Sequence, residues 1–400
     1  MWVVFLCLKS VKKLLKAFDF AEKCDIILWI MVFCAFLMYF FVRKGLFCMK
    51  RFIDITDFTR EELREAINLV TFVNGNQHVY GKEMEGRILV NAFYNEDRNA
   101  KMAFTTAATR MGGTHFDFTC NENESLKDAV MTMSACGDVI VLNHPKKGAA
   151  RAASLYATIP VINAGDGGRA YPVKTLADIS TVWMEKNHIS NMKIGFVGDF
   201  ANNTLVRGLL QCLNIYKGNE FYFISVNGKP ITDDFINIMD RREKPFVVFD
   251  NLMEPLPELD VLYMTKVDKS SFTSAIQYGS RKHKFILDER MLLTAKKDLK
   301  IMHQFPRGEE LDMSVDSDPR AVYKKMLNYD VDAAMAIILK LITKRTGRLI
   351  KPVEETATHD FKCLKSDCIT STEDYLPPLF YETENGEYIC KYCGQKYEAK

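Results

Sequence analysis

Cys363 and Cys368 are separated by four residues and Cys390 and Cys393 by two, with twenty-one residues between the pairs. Zn²⁺ prefers a closed tetrahedron of soft thiolates, and two short pairs each close a knuckle around half of it. A tail spanning 350–400 is too short to bury a sufficient core unaided. Metal binding would supply most of its folding energy, about 10–16 kcal/mol in comparable small modules. Two disulfides are the competing explanation; they require an oxidising compartment, whereas the rest of the chain has a cytosolic character. With all four positions filled by thiol, no coordination site stays open for substrate or water. Cys363, Cys368, Cys390 and Cys393 therefore read as ligands of a structural zinc, and any catalytic chemistry belongs elsewhere.

The 400 residues, 48% hydrophobic, suffice for two ordinary cores beside this module. A net charge of +2 gives no global field that calls for nucleic acid. Cys120, Cys136 and Cys212 are scattered and read as reduced packing residues. Ile26 to Val42 is an uninterrupted apolar run of seventeen residues, followed by Arg43, Lys44, Lys50 and Arg51. Seventeen is the lower limit for crossing a bilayer, and the flanking charge would leave the folded part in the cytosol. Residues 1–48 thus read either as a membrane anchor or as an upstream stretch preceding a true start at Met49, where the globular pattern begins. The expected location is cytoplasmic, with membrane contact only if 26–42 is translated.

From residue 52 strands and helices alternate. Thr59-Arg60-Glu61-Glu62 opens a capped amphipathic helix running to about Val70. Strands are expected at 87–93, 139–142, 161–164, 193–198, 221–226, 261–264 and 299–303, and helices at 101–111, 175–185 and 204–216. Val331 to Arg345 reads as a closing helix. This alternation predicts α/β architecture: two doubly wound parallel-sheet lobes, 49–186 and 187–349, followed by a small zinc-binding β domain at 350–400. Ligands in such folds sit at the C-terminal strand ends, so the loops after Phe93, Leu142, Ile162, Val197, Met264 and His303 are the ones to inspect.

Those loops carry a resemblance. Val161-Ile162-Asn163-Ala164-Gly165-Asp166-Gly167, His144-Pro145 with Gly148-Ala149-Ala150-Arg151, Val197-Gly198-Asp199 and Leu262-Tyr263-Met264-Thr265-Lys266-Val267 together resemble aspartate carbamoyltransferase catalytic chains over residues 50–347. The cysteine segment is similar to the C-terminal zinc domain of that enzyme's regulatory chain; the nucleotide-binding domain that usually precedes it has no counterpart. The resemblance implies attack of the aspartate amine on carbamoyl phosphate in pyrimidine synthesis, driven by positioning two anions and stabilising charge. It also implies a trimer through the first lobe, either homo-oligomeric or mixed with an active carbamoyltransferase chain.

The motifs that would carry the chemistry have changed. The family's Ser-Thr-Arg-Thr-Arg phosphate loop reads Asp97-Arg98-Asn99-Ala100-Lys101, placing a carboxylate where the first phosphate-binding hydroxyl should be. Asp97 is suited to cap the following helix itself and to repel phosphate. Arg-His-Pro becomes Asn143-His144-Pro145, and His-Pro-x-Gln becomes Tyr171-Pro172-Val173-Lys174. The arginine after Gly198-Asp199 aligns near Thr204, Arg-x-Gln becomes Lys266-Val267-Asp268, and Pro-Leu-Pro-Arg becomes Gln304-Phe305-Pro306-Arg307. The loop that carries a lysine to a neighbouring subunit shrinks to Asn121-Glu122-Asn123. Losing one transition-state donor costs roughly 10²–10³ in rate, so several losses predict an impaired, structural or regulatory subunit. The alternative is an active carbamoyltransferase, for aspartate or an altered amino acid, that uses Arg98, Lys101, Lys174, Lys266 and Arg307 as replacement cations for a small anionic ligand. His144 reads as a loop anchor, and Gly165-Asp166-Gly167 as a packing turn without nucleotide-loop spacing.

Overall fold

The computed structural model describes residues 51–397 apart from 122, 202, 240–245, 343–354 and 384–385. The apolar run 26–42, the alternative start at Met49 and most of the linker near Pro352 lie outside these residues. No helix among the described residues is long and apolar enough to cross a membrane.

The first lobe is a five-stranded parallel sheet. In chain order its elements are β1 (Arg51–Phe52), α1 (Arg60–Val73), β2 (Ile88–Phe93), α2 (Arg98–Arg110), β3 (Thr114–Asp117), α3 (Leu126–Cys136), β4 (Val139–His144), α4 (Ala149–Tyr156), β5 (Val161–Asp166) and α5 (Pro172–Lys186). Its strand order is β1-β5-β4-β2-β3. The central strands β2, β4 and β5 are buried on both faces and accordingly open on apolar residues, with polar ones toward their C-terminal ends. The expected capping box is present: the Thr59 hydroxyl accepts from the Glu62 N–H, while the Glu62 carboxylate accepts from the Thr59 N–H at 2.8 Å. Helix α5 starts three residues before the expected Thr175, because Pro172 at its first position has the right φ and no N–H to satisfy.

The second lobe repeats the plan with β6 (Lys193–Gly198), α6 (Thr204–Asn214), β7 (Glu220–Ser225), α7 (Asp233–Met239), β8 (Val247–Phe249), β9 (Val261–Met264), α8 (Ala275–Arg281) and β10 (Lys300–His303). All its strands are parallel, in the order β10-β9-β6-β7-β8. Helix α9 (Tyr323–Ile342) begins about two turns before the expected Val331 and packs against α1, α2 and α5 of the first lobe. The C-terminal module carries one antiparallel pair, β11 (Phe380–Glu382) and β12 (Tyr388–Cys390). It sits on the first lobe of its own chain: Ile369, Leu376, Leu379, Phe380 and Tyr392 share one buried apolar cluster with Leu126, Val130, Ala149, Ala150 and Ala153.

Candidate functional site

In the first sheet β2 pairs with β3 on one side and β4 on the other, so the strand order reverses between β2 and β4. Their C-terminal ends open a cavity of about 660 Å³. Residues after β2 (Asn95 to Asn99), at the end of β4 (Asn143 to Pro145) and at and beyond the end of β5 (Gly165 to Gly168, Ala170 and Tyr171) line it, and Thr204, Phe305 and Pro306 close it from the second lobe. A topological switch point facing a second lobe is where α/β folds hold ligands.

Asp97 dominates the end of the cavity at the start of α2. It is the N-cap of α2, its Oδ1 accepting from the Ala100 N–H at 3.0 Å. Its Oδ2 accepts from the Tyr171 hydroxyl at 2.9 Å. The positive end of the α2 dipole, the natural place for a phosphate, thus already faces a carboxylate of the protein. A unit negative charge about 4 Å from another repels it by about 4 kcal/mol at an effective dielectric of about 20, and less where water screens it.

The five replacement cations are dispersed. Arg98 lines the cleft and is exposed, while Lys174 lines a smaller adjoining cavity. Lys101, Lys266 and Arg307 line neither. Three of the five are neutralised by the protein's own acids. Lys101 pairs with Asp117 at 2.8 Å, Lys174 with both oxygens of Asp330, and Arg307 forks onto Asp316 at 2.6 and 2.7 Å. The Arg307 and Tyr323 hydrogen bonds hold the Asp316 carboxyl down at about 2. Arg98 and Lys266 have no ion-pair partner among the described residues. The acids Asp316 and Asp330 escaped sequence reasoning: Asp330 lies 156 residues from Lys174, and no local pattern links them.

Further hydrogen bonds tie the lobes across the cleft. Gln304 donates to Asp178 at 2.6 Å and Tyr263 to the same carboxylate at 2.7 Å. Asn99 donates to the Phe305 carbonyl and Thr204 to the Gly168 carbonyl, each at 2.7 Å. Burial lifts the Asp178 carboxyl to about 7 against the pull of Lys174. Burial also lifts Asp166 to about 7, although its oxygens accept from the Gly148 and Ala170 N–H groups. His144 is pushed down to about 4 by burial, and its Nδ1 accepts from the Lys146 N–H at 3.0 Å. That neutral, loop-bound ring fits the expected anchor. Glu310, fully buried with His303 at 2.8 Å, also accepts from the Val267 and Gly308 N–H groups and so holds the two second-lobe loops.

The cysteine set is compact. The Cys363, Cys368, Cys390 and Cys393 sulfurs are all buried and lie within 4.8 Å of one another. Cys363 to Cys393 is 3.7 Å and Cys368 to Cys390 is 4.0 Å. Disulfide sulfurs would stand about 2.05 Å apart, whereas four sulfurs about 2.3 Å from one tetrahedral ion stand about 3.8 Å apart, so the donor set fits a metal ion. The Thr370 hydroxyl donates to the Cys368 sulfur at 3.1 Å. Around this cluster the module is tied to the first lobe by Lys147 N–H to the Asp367 carbonyl (2.8 Å) and Ile369 N–H to the Lys147 carbonyl (3.0 Å). Arg169 adds bonds to the carbonyls of Lys391 and Tyr392.

Comparison with known proteins accords with this architecture. The description "Aspartate/ornithine carbamoyltransferase, carbamoyl-P binding domain" matches residues 50–184, and "Asp/Orn binding domain" of the same family matches 190–341. The chain is 35% identical over 302 residues to the aspartate carbamoyltransferase catalytic subunit of Finegoldia magna, covering 74% of this chain and 99% of that protein. It is 35% identical over 297 residues to the catalytic subunit of Clostridium acetobutylicum, covering 72% and 97%. Among solved structures, the catalytic subunit of M. jannaschii aspartate transcarbamoylase superposes with a TM-score of 0.71 at 33% identity, over 75% of this chain and all of that one. The Trypanosoma cruzi enzyme in complex with N-(phosphonacetyl)-L-aspartic acid gives 0.69 at 25% identity, over 74% and 96%.

Proposed function

Because the chain belongs to the aspartate/ornithine carbamoyltransferase family, we propose that it is an aspartate carbamoyltransferase-like subunit in which the protein's own carboxylates occupy the anion positions, leaving turnover strongly impaired and the role structural or regulatory. The observation that carries this reading is Asp97, which caps α2 and engages Tyr171 where the family's phosphate would sit. The pairing of Lys101, Lys174 and Arg307 with Asp117, Asp330 and Asp316 supports it.

The cysteine module holds a structural Zn²⁺ through Cys363, Cys368, Cys390 and Cys393, giving that small domain its folding energy. Its contact with the lobe of the same chain supports a built-in docking module, in an assembly that is trimeric through residues 49–186 and either homo-oligomeric or mixed with an active chain. The second lobe and closing helix, 187–349, complete the subunit, with the cytoplasm as its location.

The names of the relatives favour a second reading, an active carbamoyltransferase. Arg98 and Lys266, both exposed and without an ion-pair partner among the described residues, are the groups it would use. Calorimetric titration with carbamoyl phosphate, with a carbamoyl-aspartate assay alongside, separates the two. The first reading expects no heat and no product above background. Saturable binding with product formation would establish the second.

A further inference from the structure

A second cavity, of about 460 Å³, opens where the two lobes join and shares no lining residue with the main cleft. Arg60 and Arg64 reach it from α1, Trp183 from the last turn of α5, His188 from the connector into β6, and Tyr216 from just beyond α6. Ile67 and Ile189 give it a buried apolar wall. Both arginines are exposed and stand about one helical turn apart on one face of α1. Like charges at that spacing repel, and both lie in the first two turns of the helix, where its dipole is itself positive. Elsewhere the chain pairs its arginines with acids: Arg51 with Glu355, Arg169 with Asp54, Arg281 with Asp250 and Arg320 with Asp318. Arg60 and Arg64 make no ion pair and no side-chain hydrogen bond with another described residue. Arg60 instead lies over the Tyr216 ring, its Cζ 5.3 Å from the ring centroid, which leaves its N–H groups unengaged. Glu61 is the one acid among the described lining residues, so the cavity stays cationic.

We propose that this cavity binds a small aromatic anion, a planar ring carrying a phosphate or carboxylate group, with the anionic group held by Arg60 and Arg64 and the ring against Trp183. The site is independent of the reading given for the main cleft. Guanidinium groups fork onto carboxylate or phosphate oxygens with charge-assisted hydrogen bonds while keeping a face free to stack, as Arg60 already does on Tyr216. An anion between the two arginines would offset their mutual repulsion, and the partly exposed Trp183 offers a ring face to an aromatic ligand. The volume falls within the range of small-molecule sites. Because α1 and α5 belong to the first lobe and Tyr216 to the second, a bound ligand would touch both lobes beside their connector.

The test uses the full chain, with phenyl phosphate and benzoate as probes and inorganic phosphate as comparison, each titrated by ligand-observed NMR and by intrinsic fluorescence. Trp183 is one of three tryptophans, the others being Trp2 and Trp29, so a ligand at this cavity should quench part of the emission. Trp183→Phe keeps a ring and should abolish the quench while leaving the NMR affinity within about threefold. Phenyl phosphate is expected to bind saturably and at least tenfold more tightly than inorganic phosphate. Arg60→Gln and Arg64→Gln, both at exposed positions, should each weaken it at least fivefold, with circular dichroism verifying the fold. Equal affinity for phenyl phosphate and inorganic phosphate would overturn the aromatic site, as would a quench that persists in Trp183→Phe. Binding that survives the Arg60→Gln/Arg64→Gln double variant but is lost in Arg98→Gln would place the ligand in the main cleft and sink the inference. Failure of both phenyl phosphate and benzoate to bind would also overturn it, and would leave the reading of the main cleft untouched.

Discussion

Gly148 lies so close to Tyr392 that a methyl group on its α-carbon would stand 2.5 Å from the tyrosine Cβ and 2.6 Å from its backbone. Gly148 also has φ of +84°, a conformation that other residues adopt only with strain. The first lobe and the cysteine module meet at this point backbone to backbone. Gly148→Ala should therefore push the module away, at a cost of about 2–4 kcal/mol. Hydrogen exchange at the Ile369 and Lys147 amides, which bond across the contact, should accelerate in the variant. Unchanged protection there would show that the contact is looser than the structure has it.

Metal removal should have a wider effect than it would on a detached tail. From the sequence, loss of zinc is expected to unfold the tail and spare the lobes. The structure instead merges Ile369, Leu379 and Tyr392 with Val130, Ala149 and Ala153 in one apolar cluster. Chelation or Cys390→Ser should accordingly expose amides of α3 and α4 as well as those of the module. Exchange confined to residues after 355 would restore the simpler expectation.

Lys174 and Asp330 are buried to a similar depth, with side chains 13% and 11% exposed. Lys174→Met leaves a buried carboxylate without its partner and should destabilise by about 3–5 kcal/mol. Lys174→Met combined with Asp330→Leu should recover most of that loss, since an apolar pair of similar volume carries no desolvation penalty. Urea midpoints of the two single variants and the double variant give the cycle. Additive losses would mean the pair is not coupled.

Asp178 gives a pH dependence of defined sign. Its folded carboxyl, raised to about 7 by burial, binds a proton more tightly than the unfolded group near 3.9. Its contribution is thus fully present below about pH 3.9 and is lost as pH rises through about 7. His144, pushed down to about 4, works in the opposite direction over the same interval, so the wild-type curve alone mixes the two. Asp178→Asn isolates the carboxyl: relative to wild type, the variant should gain stability between pH 4.5 and 7.5, on the order of 2–4 kcal/mol. A pH-independent difference would contradict a raised Asp178.

The sheets were legible because β2, β4, β5 and β9 open on the apolar stretches 88–90, 139–142, 161–162 and 261–264, and α1 because Thr59 and Glu62 form a local signature. Thr114–Asp117 was not, since an edge strand with exposed Thr114, His115 and Asp117 has no apolar stretch to read. The four cysteines were legible for a similar local reason, as spacing alone brings each pair together. Asp97 was readable too, because helix caps act over three residues. What the cations do was not: Lys174 meets Asp330, and Arg307 meets Asp316, only through the closing of the tertiary structure.

Helix α9 comes from the end of the second lobe yet packs on α1, α2 and α5 of the first. The first lobe is therefore unfinished when its own sequence has left the ribosome, and must wait through the whole second lobe for its last helical layer. The second lobe has every strand of its sheet by His303 and is closed by the Leu287–Leu311 and Ile301–Ala321 bridges before α9 begins, so it can be completed first. During synthesis the order of completion runs against the order of the sequence, so a nascent chain stalled before residue 323 would expose the apolar faces of α1, α2 and α5 to chaperones and proteases.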